Sequence, residues 1–254
     1  MVEIVRLSEP LPVSMSNDWY DMATQDHFWI QWRFRSFQRL YGAYLKPGMK
    51  LLEIGCGNGV VRDQVEKAYD VTVDATDLNM FALEKAGKGR GRLLTYNVFD
   101  RHPDMVGAYD AVLLMDVIEH IDNDQAFLEA CLDHLKPGGR VLINVPAFQW
   151  LYSRYDKEDG HVRRYNKNEI SALFKRTGLS GASFSYWGFT ALPVILARKG
   201  VLLFMKDRFV VAGFQPPGMM ADVFLRFLMW IDLHLLRWCW RIGGSSLMAT
   251  GISK

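Results

Sequence analysis

The stretch LLEIGCGNG, Leu51 to Gly59, joins a short apolar run to three glycines at alternate positions, and the residues after it, VVRDQVEKA (60–68), have helical apolar spacing. A glycine-rich turn between strand and helix lets backbone approach a ligand, because glycine has no Cβ and tolerates positive φ. The same alternation repeats outward from it. MKLLEIG (49–55), VTVDATD (71–77), RLLTYNV (92–98), YDAVLLMD (109–116) and GRVLINVP (139–146) read as strands. Residues 60–68, NMFALEKAG (79–87) and NDQAFLEACLDHLKPGG (123–139) read as helices, the last with a Pro-Gly-Gly stop. Such alternation implies right-handed crossovers and a doubly wound, mostly parallel sheet, whose ligands sit outside the carboxyl ends of the strands. Glu53 to Gly59, Asp77, Asn97 and Met115 to His120 then surround one crevice.

The 254 residues are half hydrophobic and carry a net charge of +2, enough for a sizeable core and no signature of disorder. Cys56, Cys131 and Cys239 are odd in number, widely spaced and without a C-x-x-C pair, so neither a disulfide framework nor a structural zinc site is expected. The first residues, MVEIVRLSEPLPVSMSN, have no cationic start followed by an apolar core; the expected location is the cytoplasm, with membrane association through the C-terminal region left open. There is no long basic run, so no nucleic-acid partner is expected.

Two cofactor classes compete for the crevice. A dinucleotide fingerprint needs G-x-G-x-x-G, whereas Gly55, Gly57 and Gly59 run G-x-G-x-G with Glu53 just before them. A carboxylate there repels a pyrophosphate and attracts a cation.

LLEIGCGNG, DATDLN, YDAVLLMDVIEHIDND and LKPGGRVLINVP, in this order, resemble the class I S-adenosylmethionine-dependent methyltransferases over roughly residues 26–185. The resemblance implies a Rossmann-like, seven-stranded α/β sheet with an antiparallel C-terminal edge hairpin, and S-adenosyl-L-methionine as cofactor, leaving as S-adenosyl-L-homocysteine. Carried over by position, it implies that Gly55, Cys56 and Gly57 touch the amino acid part of the cofactor near Glu53. Asp77 would accept from the ribose hydroxyls, Leu78 would pack on the adenine, Asn97 and Val98 would flank its edge, and Met115 and Asp116 would face the methionine moiety. Asn97 stands where the family more often has Asp.

A sulfonium methyl is already electrophilic, so the protein mostly aligns an acceptor, and a base is needed only where the acceptor carries a proton. His161, in the polar loop YDKEDGHVRRYNKNEI, is the first candidate base and His120, in DVIEHI, the second. Arg163 and Arg164 would steer an anionic group, with Tyr165 beside them. His27 lies in TQDHFWIQWRFR, an aromatic and basic segment that in similar enzymes forms a lid over the cofactor, and it joins the substrate-binding set. DVIEH also resembles an E-x-x-E-H pattern that holds a divalent ion in some methyltransferases, which would use Asp116, Glu119 and His120 with His161. Asp stands in place of the first Glu, and no metal is expected.

After NKNEISALFKRTG (166–178), a helix, ASFSYWGF (182–189) and SSLMATGIS (245–253) read as the last two strands. The division expected is a helical lid at 1–45, a cofactor-binding core at 46–188, an apolar helical insertion at 189–243 and the final strand at 244–254. The insertion holds TALPVILARKGVLLFM (190–205) and MMADVFLRFLMWIDLHLLRWCWRIGG (219–244) about a Pro-Pro-Gly turn, and neither has the ~18 uninterrupted apolar residues of a membrane span. Continued as one helix, the second places Arg226, His234, Arg237 and Arg241 within roughly a quarter of its circumference. It reads as a cap over a hydrophobic substrate pocket, ahead of an interfacial membrane segment or a packing face for the domain or a second copy. The expected enzyme methylates an oxygen of a small, hydrophobic or lipid-linked acceptor. The alternatives are nitrogen or carbon methylation, or a non-catalytic, membrane-associated cofactor-binding protein.

Overall fold

The run YDAVLLM has no polar face to offer water, and in the computed structural model it lies at the centre of the sheet, with Ala111 to Leu114 all buried. The structure describes residues 2–12, 17–204 and 218–254. Among them eight strands form one sheet: β1 (Ile4–Arg6), β2 (Lys50–Ile54), β3 (Thr72–Asp77), β4 (Leu93–Thr95), β5 (Tyr109–Met115), β6 (Leu135–Pro146), β7 (Ser180–Trp187) and β8 (Ser246–Ile252). Their order is β1-β4-β3-β2-β5-β6-β8-β7. Pairs from β1 to β6 are parallel, while β8 runs antiparallel to both β6 and β7. The expected Rossmann-like architecture and antiparallel edge pair are present.

Three differences from expectation have physical causes. The extra strand, Ile4–Arg6, pairs in parallel with Leu93–Thr95 at the sheet edge, and three residues are too few to show a period in sequence. The helix expected over 123–139 ends at Leu132. The His134 carbonyl accepts from Ala108 and Tyr109 backbone N–H groups (both 3.1 Å), which draws the chain into β6 before the Pro-Gly-Gly. The helix expected over 219–244 stops at His234 and gives way to a 3-10 turn over Arg237–Arg241. No continuous basic stripe forms, because Arg226 turns inward to the Asp26 carbonyl (2.6 Å) and the Gln31 side chain (2.7 Å). Pro216 and Pro217 of the expected turn lie outside the described residues.

Helices α1 (Asn17–Met22), α2 (Phe28–Tyr41), α3 (Val60–Ala68), α4 (Met80–Leu83), α5 (Asp124–Leu132), α6 (Arg154–Glu158), α7 (Lys167–Arg176), α8 (Leu192–Phe204) and α9 (Met219–His234) complete the chain. Alternate residues of the central strands feed opposite faces. Leu52, Val112 and Leu114 pack with Phe127 and Leu128 of α5 and Ile170 and Leu173 of α7. Leu51, Ala111 and Leu113 share the other core with Trp32 and Phe37 of α2, Val65 of α3, and Met229 and Leu233 of α9. Asn166 caps α7 in a reciprocal box with Glu169, as its sequence implies.

The C-terminal helices are fixed to the core through one buried carboxylate. Asp232 on α9 accepts from the indole N–H groups of Trp32 and Trp240 (3.1 Å each) and from the backbone N–H groups of Gly188 (3.1 Å) and Phe189 (2.8 Å). Asp232→Ala leaves these donors without an acceptor and is expected to cost about 3 kcal/mol or more. Asp232→Asn, which keeps one carbonyl oxygen, should cost less, as read from denaturant unfolding.

Candidate active site

A cavity of about 820 Å³ opens at the carboxyl ends of β2 to β5, between the sheet, the α1–α2 segment and α8. At its floor the glycine loop is tight. Gly55 and Cys56 both donate backbone N–H to the Thr76 carbonyl at the end of β3 (2.8 and 2.9 Å). Gly55 (φ 72°) and Gly57 (φ 55°) adopt left-handed backbone, and a Cβ on either would meet Val117 at 2.7 Å or Tyr20 at 2.9 Å. Asn58 donates to the carbonyls of Tyr20 and Ala23 (2.9 Å each), so the loop also anchors the segment above it.

The expected cofactor set converges here: Glu53, Gly55, Cys56, Gly57, Asp77, Leu78, Asn97, Val98, Met115 and Asp116 all line the cavity. Asp77 accepts from the Gly57 and Asn79 backbone N–H groups (2.8 Å each), which aims its carboxylate across the loop. The Asn97 side-chain oxygen accepts from Phe99 N–H (3.2 Å), so this residue also caps the turn that follows it. Glu53 is 2% exposed, and its Oε2 has no hydrogen-bond partner among the described residues. Burial raises its pKa to about 8 against the opposing charges of Arg33 and Arg62. A buried carboxylate with a free oxygen fits a ligand that brings a cationic donor.

Asp116 stands at φ 64°, held between α2 and the sheet. Arg33 of α2 donates to its Oδ2 (2.6 Å) and Asn144 of β6 to its Oδ1 (2.5 Å), and the Asn144 side-chain oxygen accepts from the Trp187 indole (2.8 Å). His27 lines the cavity and caps α2 by accepting from Trp29 N–H (3.3 Å); burial lowers its pKa, with Asp222 opposing.

The two candidate bases both line the cavity and meet there, with His120 and His161 ring centroids 4.7 Å apart. Burial, then the neighbouring His161, lowers His120 to about 4, so it is neutral at physiological pH and a weak proton acceptor. His161 Nδ1 lies 3.1 Å from Asp156 Oδ1, which also accepts from Arg164 Nε (2.6 Å). Burial opposes ionisation of Asp156, but the hydrogen bond from His161 and the Arg164 charge outweigh it and hold the carboxyl at about 2. A fixed anion at Nδ1 keeps the proton on that nitrogen and leaves Nε2 as the acceptor.

Of the three residues expected to bind substrate, Arg164 lines the cavity, and Arg163 and Tyr165 are placed away from its lining. The Val162 N–H donates to the Glu119 carbonyl (2.8 Å) and the Tyr165 N–H to the Pro146 carbonyl (3.0 Å). This path sends Arg163 to the Asp122 carbonyl (2.7 Å) and Asp124 (3.3 Å), and buries Tyr165, whose hydroxyl donates to Asp124 (2.9 Å).

Glu119, His120 and His161 each present one donor atom within 4.8 Å of one another. Both carboxylate oxygens of the fully buried Glu119 lack a hydrogen-bond partner among the described residues, and burial together with Asp116 drives its pKa well up. One carboxylate and two imidazoles make a donor set that suits a divalent cation. Sequence reading also missed Arg33, Asp159 and Arg198, which line the cavity, and Asp156, buried behind His161. Asp156 and Asp159 stood close before His161 in an acidic loop, while Arg33 and Arg198 reach the site only through packing of α2 and α8.

A family model described as a methyltransferase domain matches residues 25–183. The phosphoethanolamine N-methyltransferase of Triticum aestivum is 38% identical over 108 residues, 39% of this chain and 21% of that protein. The ubiquinone biosynthesis O-methyltransferase of Xanthomonas axonopodis pv. citri is 30% identical over 172 residues, 57% of this chain and 71% of that protein. Several other ubiquinone biosynthesis O-methyltransferases are matched over less than half their length, such as 43% for that of Vibrio parahaemolyticus. Among solved structures, the Haemonchus contortus phosphoethanolamine N-methyltransferase 2 with phosphomonomethylethanolamine and S-adenosylhomocysteine shares the fold at a TM-score of 0.58 and 18% identity, over 89% of this chain and 52% of that one. A SAM-dependent methyltransferase from Archaeoglobus fulgidus does so at 0.56 and 12%, over 87% and 93%. The chain belongs to the methyltransferase-domain family, the class I S-adenosylmethionine-dependent methyltransferases.

Proposed function

We propose that this chain transfers the methyl group of S-adenosylmethionine to an oxygen of a small, hydrophobic or amphiphilic acceptor. The observation that carries this reading is the shared cavity: the glycine loop, Glu53 and Asp77 line it together with the Asp156-positioned His161. In the step proposed, the acceptor oxygen bonds to the methyl carbon as the carbon–sulfur bond breaks. The bonding pair returns to sulfur to give S-adenosylhomocysteine, and the hydroxyl proton passes to His161 Nε2. Trp29, Val194, Ile195 and Leu225 give the acceptor end apolar walls, with Arg164 and Arg198 for an anionic group. Residues 189–243 act as the substrate cap and 1–45 supply the lid over the core at 46–188. The same C-terminal helices offer a contact face for a bilayer or a second copy of the chain.

The unpartnered Glu119 beside two imidazoles favours a second reading, in which Glu119, His120 and His161 hold a divalent ion. Such an ion supplies Lewis-acid polarisation of the acceptor hydroxyl. Nitrogen methylation is distinguished by its acceptor, since a neutral amine attacks without prior loss of a proton, and a non-catalytic binder by cofactor binding without transfer.

Three measurements test these assignments. Asp77→Ala should weaken S-adenosylhomocysteine binding about tenfold or more in calorimetry, the scale of a lost charge-assisted hydrogen bond pair. His161→Ala should lower kcat on a hydroxyl acceptor by about 10²–10⁴, and Asp156→Asn should lower it less and shift the pH profile. Unchanged turnover in His161→Ala removes it as base, and activity lost to a chelator and restored by Mg²⁺ or Mn²⁺ selects the metal reading.

Glu53 gives the third. An unfolded glutamate titrates near ~4.3 and Glu53 in the fold near about 8. Between the two, the folded chain holds the extra proton, so the stability tied to this group is complete below the lower value and is lost as pH rises toward the higher. Glu53→Gln should therefore gain on the wild type in unfolding free energy from about pH 5 to pH 8. Binding of S-adenosylhomocysteine, whose ammonium favours the carboxylate, should release a proton near neutral pH, seen as a buffer-dependent heat absent in Glu53→Gln.

A further inference from the structure

Helix α9 is amphipathic in the reverse sense. Its charged residues face the protein: Asp232 is fully buried in the hub described above, and Asp222 and Arg226 pair with each other (2.5 Å) while Arg226 bonds to the α2 region. The arc turned to solvent carries Met219, Met220, Val223, Phe224, Phe227 and Trp230, with Met220 86% and Phe227 54% exposed. At 3.6 residues per turn these six span about 140° of the helix, and the one ionisable residue within that arc is His234, stacked on Trp230 near the helix end. The Phe227 and Trp230 rings stack at 6.5 Å, and the apolar surface continues past the helix end through exposed Leu235, Trp238 and Ile242. A contiguous apolar face of this kind marks an interaction site.

Cations border it. Arg35 and Arg39 of α2 and Arg237 and Arg241 of the following turn are exposed, and among the described residues none has a carboxylate within 4.0 Å. Burial of its stem and then the like charges of Arg237 and Arg35 depress the Arg39 pKa, so three of these guanidiniums crowd one another. Crowded cations beside exposed Trp and Phe match a surface that offers phosphate oxygens above hydrocarbon. A second copy presents the same cations without the missing anions.

We infer that the outer face of α9 with the 237–242 turn is a docking surface for a bilayer of anionic phospholipid. No helix among the described residues is long and apolar enough to cross a membrane, so the contact is interfacial. Leu225 of α9 and Val194 and Ile195 of α8 line the cavity, so docking sets the cavity wall against the lipid surface and favours an acceptor resident there. That last step rests on the methyl-transfer reading; the docking surface does not.

The test is sedimentation of the full chain with phosphatidylcholine vesicles and with vesicles enriched in phosphatidylglycerol. Binding is expected on the anionic vesicles, weakening as salt rises and by roughly fivefold per guanidinium removed in Arg237→Gln and Arg241→Gln. Phe227→Asp combined with Trp230→Asp should abolish it while S-adenosylhomocysteine binding, measured as the folding control, is retained. Absence of binding to both vesicles at low salt, or equal binding to neutral and anionic ones, overturns the inference. So does a dimer in light scattering that the Phe227→Asp, Trp230→Asp variant dissociates. Vesicle binding by a chain that transfers no methyl would sink the enzymatic reading alone, and methyl transfer without vesicle binding the docking surface alone.

Discussion

The ion pair between Arg33 and Asp116 is the constraint on which the site depends. Asp116 ends β5 in a backbone conformation that non-glycine residues rarely adopt, and it keeps that conformation while gripped from both sides. From Arg33 the grip reaches α2, from Asn144 it reaches β6, and through the Trp187 indole it reaches the end of β7. Three segments distant in sequence are thus referred to one carboxylate at the mouth of the cavity. Because the pair is only partly exposed, its hydrogen bonds are screened less than a surface bridge.

The electrostatics of the cavity follow from what was buried without partners. Among the described residues Glu53 Oε2 and both Glu119 carboxylate oxygens have no hydrogen-bond partner, and Asp159 is raised to about 6 by burial against the pull of His161. Burial pushes each toward its protonated form, and a cation that arrives favours the ionised one. An acidic floor in apolar surroundings therefore discriminates for positively charged ligands before any specific contact is made. Asp156, also beside His161, differs from them, since it is satisfied by Arg164, His161 and Ser153 and stays ionised. The acids without a partner among the described residues can take up a cation, while the satisfied Asp156 orients the His161 ring.

The sheet was legible because its determinants are local. Continuous apolar runs, glycines after β2 and an Asn-x-x-Glu box at α7 each state their geometry within a few residues. That Glu53, Asp77 and Met115 would line one cavity was legible for the same reason, as they sit on strand ends whose order the alternation dictates. What could not be read depends on packing between remote segments. Arg163 and Arg164 are adjacent in sequence with equal chemistry, yet only the backbone pins at Val162 and Tyr165 decide which of them enters the cavity. Likewise, nothing near Asp156 says that it will meet His161 after a helical turn.

Helix α9 shows how the same limit reverses a conclusion. A hydrophobic helix with a few charges invites the assumption that the charges face water, and on that assumption Arg226 belongs to an outer basic stripe. Asp232 makes the assumption untenable, because two indoles and the backbone turn after β7 supply donors that only an inward carboxylate can answer. Fixing Asp232 inward fixes the rotation of the whole helix, since residues on one rigid helix share one rotation. Met220, Phe224 and Phe227 are then outward by necessity. The exposed apolar face is thus the geometric consequence of a buried polar hub, and the arginines that reach solvent are those beyond the helix end, where the 3-10 turn releases them from its rotation.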